Sequence, residues 1–471
     1  MKFYDLREFI ATLQKLGQIK VVEGASCDLE IGAITELATD LEGHPAVLFD
    51  SIKGFPEGNR VLTNIISDTV RERLIFGVAQ ELSDREAVIF FKNRLKQYEP
   101  VDPKEVGLAP VKENVLRGDE VDLGRIPWPK WHERDGGRYM CATSVVTREP
   151  DSGYINIGSY RFMFINKNTI VAHIGSGHNG DVIRKKYWEK GKSCPVAISL
   201  GQDPALLLAA GTNLPWGSSE YGFAGWLRGE PVEVARGEYT DLPIPATAEV
   251  VLEGDMLPPD QGEEIEGPFG EASGYYGGGA RPAPVTKIRS MLFRNKPIIL
   301  GNPPFLGGDR TILYSRALLV WNELETLGLE NIMGVNYSGC RTIISIKQAY
   351  PGHAMRVAHA ALGGTAGYHA RFIIVVDEDI DPYNLDEVFW AVATRCDPET
   401  SLDISRRTWS YKIDPRLPEE KKSVGNYTSS VAIIDACRPY HWMDKFPPTT
   451  KISEELLKKT EEKWGEVLRR G

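Results

Sequence analysis

A chain of 471 residues, 42% hydrophobic and 25% charged, has apolar material for a folded core and length for two or three domains, which excludes a disordered polymer. Its 55 Lys and Arg against 65 Asp and Glu give a formal charge of -10. That balance argues against a nucleic-acid groove or an anionic membrane surface as main partner and favours a small ligand or another protein.

The opening, MKFYDLREFIATLQKLG, lacks the basic and apolar regions of a secretory signal, and no later run nears the ~20 apolar residues of a membrane span. A cytoplasmic protein is expected. In the same stretch Leu6, Phe9, Ile10, Leu13 and Leu16 recur at helical spacing between an Asp5 cap and Gly17, which predicts an amphipathic helix. A second helix is expected in DLEIGAITELATDLEG, then strands in PAVLFDSI and NRVLTNI. Residues 1–107 read as an α/β domain ending in the proline-rich linker PVDPKEVGLAPVKE.

From residue 108 the style changes to short runs rich in Val, Ile and aromatics, among them YINIGSYRFMFI, NTIVAHIG, PVAISLG, GEPVEVARG, AEVVLEG and APVTKIRSMLFRN. Gly, Pro, Asp and Asn separate them, the rhythm of an antiparallel barrel or sandwich over residues 108–305. Residues 306–471 return to alternation: helical TILYSRALLVWNELETLG, strands TIISI and RFIIVVDEDID, and NLDEVFWAVATRCD opening on an Asn384 cap. A terminal helix, SEELLKKTEEKWGEVLRR, puts Leu457, Trp464 and Leu468 near one stripe, suited to a neighbouring subunit or to its own domain. The six cysteines stand singly, without a CxxC pair, and are expected to be free thiols.

The segment EGPFGE sets Glu266 and Glu271 around a proline of fixed φ and two permissive glycines, so a loop rather than a helix would bring them together. Two adjoining carboxylates cannot both ionise cheaply, and one is then expected to titrate high enough to donate a proton near neutrality. Taken alone, the segment is read first as a solvated acidic loop, since GEEIEGPFGE is acidic throughout. In YINIGSYR, strand alternation places Asn156, Gly158 and Tyr160 on one face and Arg161 on the other, unless a turn at Gly158–Ser159 redirects it. AHIGSGHNG carries His178 in a glycine-flanked loop whose amides can approach an anion, and NLPWGSSEYGFAG offers Glu220 after a turn-prone run.

Asn, His and Glu make an O/N/O ligand set that suits manganese or magnesium, ions that often bridge protein to phosphate. GYYGGGARP and FLGGDR lack the strand, helix and lysine context of nucleotide loops, VVDEDIDPYNLDE has the wrong order for an EF-hand, and no GxSxG elbow occurs.

Asn156 with Arg161 five residues on, His178, Glu220 and the EGPFGE pair together resemble the UbiD family of reversible decarboxylases that use prenylated FMN. The resemblance runs over nearly the whole chain, including PATAEVVLEG and RFIIVVDEDIDPYNLDEVFWAVATRCDP. It implies an α+β multidomain fold, with an N-terminal α/β domain, a central split β-barrel resembling flavin reductases, and a C-terminal α/β oligomerisation domain. It implies that Asn156, His178 and Glu220 hold a divalent manganese, or magnesium, bridging to the cofactor phosphate with a potassium ion nearby. Arg161, Glu266 and Glu271 would form the Glu-Arg-Glu constellation at the reacting carboxylate.

In that family the modified flavin, an azomethine ylide, forms a covalent adduct with the substrate and acts as electron sink. Arg161 would then orient the carboxylate, Glu266 support Arg161, and Glu271 protonate the carbon after carbon dioxide leaves. Ser159, Tyr160, Gly177 and Arg371 are further candidate cofactor contacts, although Tyr160 departs from the small residue some members carry there. A flavin prenyltransferase would supply the cofactor, and a homodimer or homohexamer is expected. The C-terminal third is most similar to the hydroxybenzoate branch, acting on acids such as protocatechuate or gallate, with furan, pyrrole or α,β-unsaturated acids as alternatives. Lys347, His353 and His441 are candidate contacts for a ring substituent. An FMN-dependent oxidoreductase is the competing class, but it leaves the two acids without a role.

Overall fold

The computed structural model describes residues 3–304, 311–365 and 367–468; the FLGGDR segment and the side chain of Leu468 lie outside the described set. The first helix, Leu6–Lys15, begins where the Asp5 carboxylate accepts the Glu8 amide, and it buries Leu6, Phe9, Ile10 and Leu13. Periodicity and cap agree here. Strands Ile19–Glu23, Ala46–Asp50 and Arg60–Thr63 form a sheet with a fourth strand, Ile298–Gly301, which pairs in parallel with Arg60–Thr63. The chain thus returns to its first sheet after the central segment, within the stretch that the sequence division at residue 305 groups with the middle.

The middle of the chain forms a ten-stranded antiparallel sheet whose main path runs from Tyr139–Met140 through Arg161–Asn166, Thr169–His173, Arg281–Phe293, Val250–Met256, Cys194–Leu200 and Thr143–Arg148 to Ile155–Gly158. Glu263–Glu266 and Asn114–Arg117 also pair with the long Arg281–Phe293 strand. Its terminal strands do not pair with each other among the described residues, so the sheet is not closed into a barrel by hydrogen bonds there. YINIGSYRFMFI is likewise two strands, broken at Ser159–Tyr160, and the unbroken alternation stops at Gly158.

The last third is a mixed five-stranded sheet in the order Ile332–Ser338, Arg341–Ile346, Phe372–Asp377, Thr428–Ala436, Leu402–Trp409. Its helix Leu385–Arg395 is capped by the Asn384 side chain, which accepts from the Asp386 and Glu387 amides. In the terminal helix Glu454–Leu468, Leu457 and Trp464 are both half exposed. The six cysteines are free, and no helix among the described residues is long and apolar enough to cross a membrane.

One apolar cluster runs from Leu6 and Phe9 through Leu206 and Trp226 to Ile344 and Val375, so the three segments share a core. A buried charge ties two of them. Glu249, fully buried, accepts from Arg7 Nε and Nη2, both at 2.8 Å, from Arg294 Nη1 at 3.2 Å and from the Ile298 amide at 3.2 Å. Removing one member of a buried ion network strands its partners, so Glu249→Ala should lower unfolding free energy by about 3 kcal/mol. Urea denaturation reads this directly, and Arg7→Ala should cost less because that side chain is 34% exposed.

Candidate active site

Arg161 opens its strand directly opposite His173 on the neighbouring strand, and Glu266 ends its strand directly opposite Arg281. These two cross-strand pairs meet over one carboxylate. Arg161 Nε donates to Glu266 Oε1 at 2.9 Å and Nη2 to Oε2 at 3.4 Å, while Nη1 donates to Glu271 Oε1 at 3.0 Å. The guanidinium also lies 4.7 Å from the Phe269 ring centroid, a cation–π contact from the loop between the acids. His173 Nδ1 stands 3.5 Å from Glu266 Oε2, and Arg281 contacts the same imidazole.

Burial alone would raise the Glu266 carboxyl, yet the His173 hydrogen bond and the Arg161 guanidinium outweigh it and hold the pKa down to about 2. Glu266 is therefore not the high-titrating member of the acid pair, because a guanidinium lies against its carboxylate. Burial likewise opposes the charge on Arg161, but Glu271 and Glu266 together raise its pKa above the usual arginine value. Burial lowers the His173 pKa, and the charges of Arg161 and Arg281 add to that.

Arg161, Glu271, His173 and Phe269 line a cavity of about 540 Å³. Glu266 does not line it; its side chain is 1% exposed and lies behind Arg161. The backbone of the loop is tied from outside: Tyr139 Oη accepts the Gly267 amide at 3.0 Å and Asp135 Oδ1 accepts the Gly270 amide at 3.2 Å. The Gly267–Pro268 peptide is cis.

Asn156, His178 and Glu220 line a second cavity, of about 400 Å³, with Gly177 beside them. His178 caps the helix Asn179–Glu189 and Glu220 opens the helix Glu220–Arg228, so both stand at helix N-termini. A Cβ at Gly175 would come within 2.8 Å of the His178 ring and would displace it. Glu220 is buried, accepts the Ile157 amide at 3.0 Å and has no cationic partner among the described residues, so burial pushes its carboxyl up to about 7. One terminal atom of the Asn156 amide, assigned as Nδ2, is buried with no partner. The flipped amide would present an acceptor at that position.

A buried carboxylate lacking a cation and an amide end lacking a partner fit a hard divalent ion with His178 as third ligand. No cluster of three or more His, Cys, Asp or Glu side chains gathers among the described residues, so such an ion depends on the Asn156 amide.

Ser159, Tyr160 and His178 line both cavities, which therefore adjoin. The Tyr160 ring fits because Gly158 and Gly180 lack side chains, and its hydroxyl accepts the Gly180 amide at 3.2 Å. Arg371 lines neither cavity; it pairs with Asp414 and Ser429 at the start of the central strand of the C-terminal sheet. Lys347 and His441 are exposed and His353 is buried against Tyr350, all outside both cavities. His173, Arg281, Tyr139 and Phe269 were not singled out from sequence. Phe269 lies inside EGPFGE and His173 at the end of NTIVAH, but only strand register joins them to Arg161.

Family models match three segments in order: the 3-octaprenyl-4-hydroxybenzoate carboxy-lyase N-terminal domain over residues 10–88, its Rift-related UbiD domain over 104–304, and its C-terminal domain over 314–436. A phenolic acid decarboxylase from Bacillus subtilis (strain 168) is 33% identical over 482 residues, spanning 97% of this chain and 99% of that protein. Vanillic acid decarboxylase of Sedimentibacter hydroxybenzoicus in open form superposes with a TM-score of 0.85 at 29% identity, over 100% of both chains. An evolved dimeric form of the UbiD-class enzyme HmfF from Pelotomaculum thermopropionicum, in complex with prFMN, gives 0.81 at 28% identity over 97% of this chain and 98% of that one. With three models in order and a relative of this identity along almost its full length, the chain belongs to the UbiD family of carboxy-lyases.

Proposed function

We propose that the protein carries out reversible, non-oxidative decarboxylation of a hydroxybenzoate-like aromatic acid with prenylated FMN as cofactor. The observation that carries this reading is the shared lining at Ser159, Tyr160 and His178, which sets the Asn156/His178/Glu220 cavity beside the Arg161/Glu271 cavity. The prFMN complex of the HmfF neighbour and the phenolic and vanillic acid decarboxylase relatives support the cofactor and the substrate class.

Asn156, His178 and Glu220 would hold manganese or magnesium at the cofactor phosphate, with His178 and Ser159 at the junction of the two cavities. Bound there, the cofactor supplies the electron sink that the sp² carbon needs when carbon dioxide leaves. Arg161 orients the substrate carboxylate through its planar fork, and Phe269 and Glu266 fix the guanidinium. Glu271, the acid that reaches the cavity, delivers the proton. Homo-oligomerisation through the C-terminal segment completes the reading.

Co-expression with a flavin prenyltransferase, followed by the absorption spectrum and an assay of aromatic acids for carbon dioxide release, tests it. Bound modified flavin and release from at least one hydroxybenzoate are expected; a protein that binds no modified flavin and turns over no acid would end the reading. Asn156→Leu should lose the cofactor spectrum and metal content together, as measured by elemental analysis of the purified protein.

A further inference from the structure

A cavity of about 1220 Å³ lies between the Ala272–Tyr275 stretch and the C-terminal sheet. Six cationic residues line it: Arg341, Arg371, Arg406, Arg407, Arg416 and Lys421. Asp414 is the one acid in its lining among the described residues, and that carboxylate is already engaged by Arg371 and by the Ser410 hydroxyl at 2.7 Å. Arg341 donates to the Ser338 carbonyl at 3.2 Å and Lys421 to the Thr428 carbonyl at 3.3 Å. The side chains of Arg406, Arg407 and Arg416 have no hydrogen-bond or ion-pair partner among the described residues. In a chain of net charge -10, such a concentration of unneutralised cations in one concavity runs against the overall field.

The backbone contributes to this arrangement. Successive strand residues normally face opposite sides of a sheet, yet Arg406 and Arg407 line the same cavity. A register shift between Arg406 and Thr408 makes Arg407 a bulge, with φ at 60°, a left-handed conformation that a long side chain seldom adopts. A bulge of this kind re-aims a side chain at a functional surface. Guanidinium groups in number suit oxyanions because each presents paired N–H donors to two oxygens.

We propose that this cavity binds a small polyanion whose charge lies on oxygen, an organic phosphate or a polycarboxylate, at a site separate from the carboxylate position at Arg161. Ala272, next to Glu271, lines both this cavity and the catalytic one, so the bound anion adjoins the loop that carries the catalytic acid.

Calorimetric titration of the cofactor-loaded enzyme, at low ionic strength, with inorganic phosphate and separately with propane-1,2,3-tricarboxylate tests this. At least one probe should bind saturably, and which one binds identifies the source of the anion. Affinity should fall about tenfold or more in Arg406→Gln/Arg407→Gly, where glycine keeps the left-handed backbone, and likewise in Arg416→Gln, outside the strand. Absence of saturable binding of either probe, or unchanged affinity in both variants, would overturn the proposal.

Discussion

Glu271→Gln should lower turnover by about 10²–10⁴-fold and abolish solvent deuterium incorporation at the reacting carbon, while the bound-cofactor spectrum stays as in the wild type. The two acids of EGPFGE are chemically alike, and their surroundings separate them. Glu266 is held by Arg161, adjoined by His173 and Arg281, and kept to about 2; it is ionised throughout the neutral range and has no proton to give. Glu271 meets Arg161 at one oxygen and faces the cavity. Glutamine at 271 retains a carbonyl to accept from Arg161 Nη1, so the network persists and only the acid proton is lost. Deuterium incorporation at the wild-type rate in that variant would remove Glu271 from its role.

Arg161→Gln should remove activity and also cost about 3 kcal/mol of stability at neutral pH, because it leaves the buried Glu266 carboxylate without its main counter-charge. The pH dependence distinguishes this cost from a loss of packing. In the wild type the Glu266 pKa is depressed, so its contribution is fully present above the ordinary carboxyl value of ~4.3 and fades as pH falls toward about 2. The variant lacks that contribution, and burial favours its protonated carboxyl. The stability gap between the two proteins should therefore be wide at pH 7 and narrow at pH 3, as read by urea denaturation. A double variant, Arg161→Gln/Glu266→Gln, should recover part of the loss at pH 7 by removing the stranded charge. An equal gap at both pH values would mean that the guanidinium acts through its packing on Phe269 instead.

Element type was legible in the residues wherever the signal is local. Asp5 and Asn384 cap helices in the way their side chains suit them to, and the first helix buries Leu6, Phe9, Ile10 and Leu13 of its predicted stripe while Leu16, at the C-cap, is exposed. The short β-rich runs between residues 108 and 305 are strands because alternation and turn residues repeat within a few positions. The candidate site was legible by residue type and by the family resemblance, which named Asn156, His178, Glu220, Arg161, Glu266 and Glu271.

Other features depended on pairings that no local pattern encodes. Whether the central sheet closes depends on its two outermost strands, and these do not pair among the described residues. Arg371 has the type and the strand-start position of a phosphate contact, but its ion pair with Asp414 holds it at another cavity. His173 has no sequence mark of function; register opposite Arg161 brings it to Glu266.

By itself, then, the sequence determined the helix caps, the strand rhythm, the family and the chemical kinds of residue available for a metal and a proton. Only the tertiary structure decided which acid faces the cavity and which lies behind the arginine, since Arg161 reaches partners 105 and 110 residues away. Long-range register follows from burying two strand faces at once, and the separation of Glu266 from Glu271 follows from that register, which places one carboxylate under a guanidinium and leaves the other at the open side.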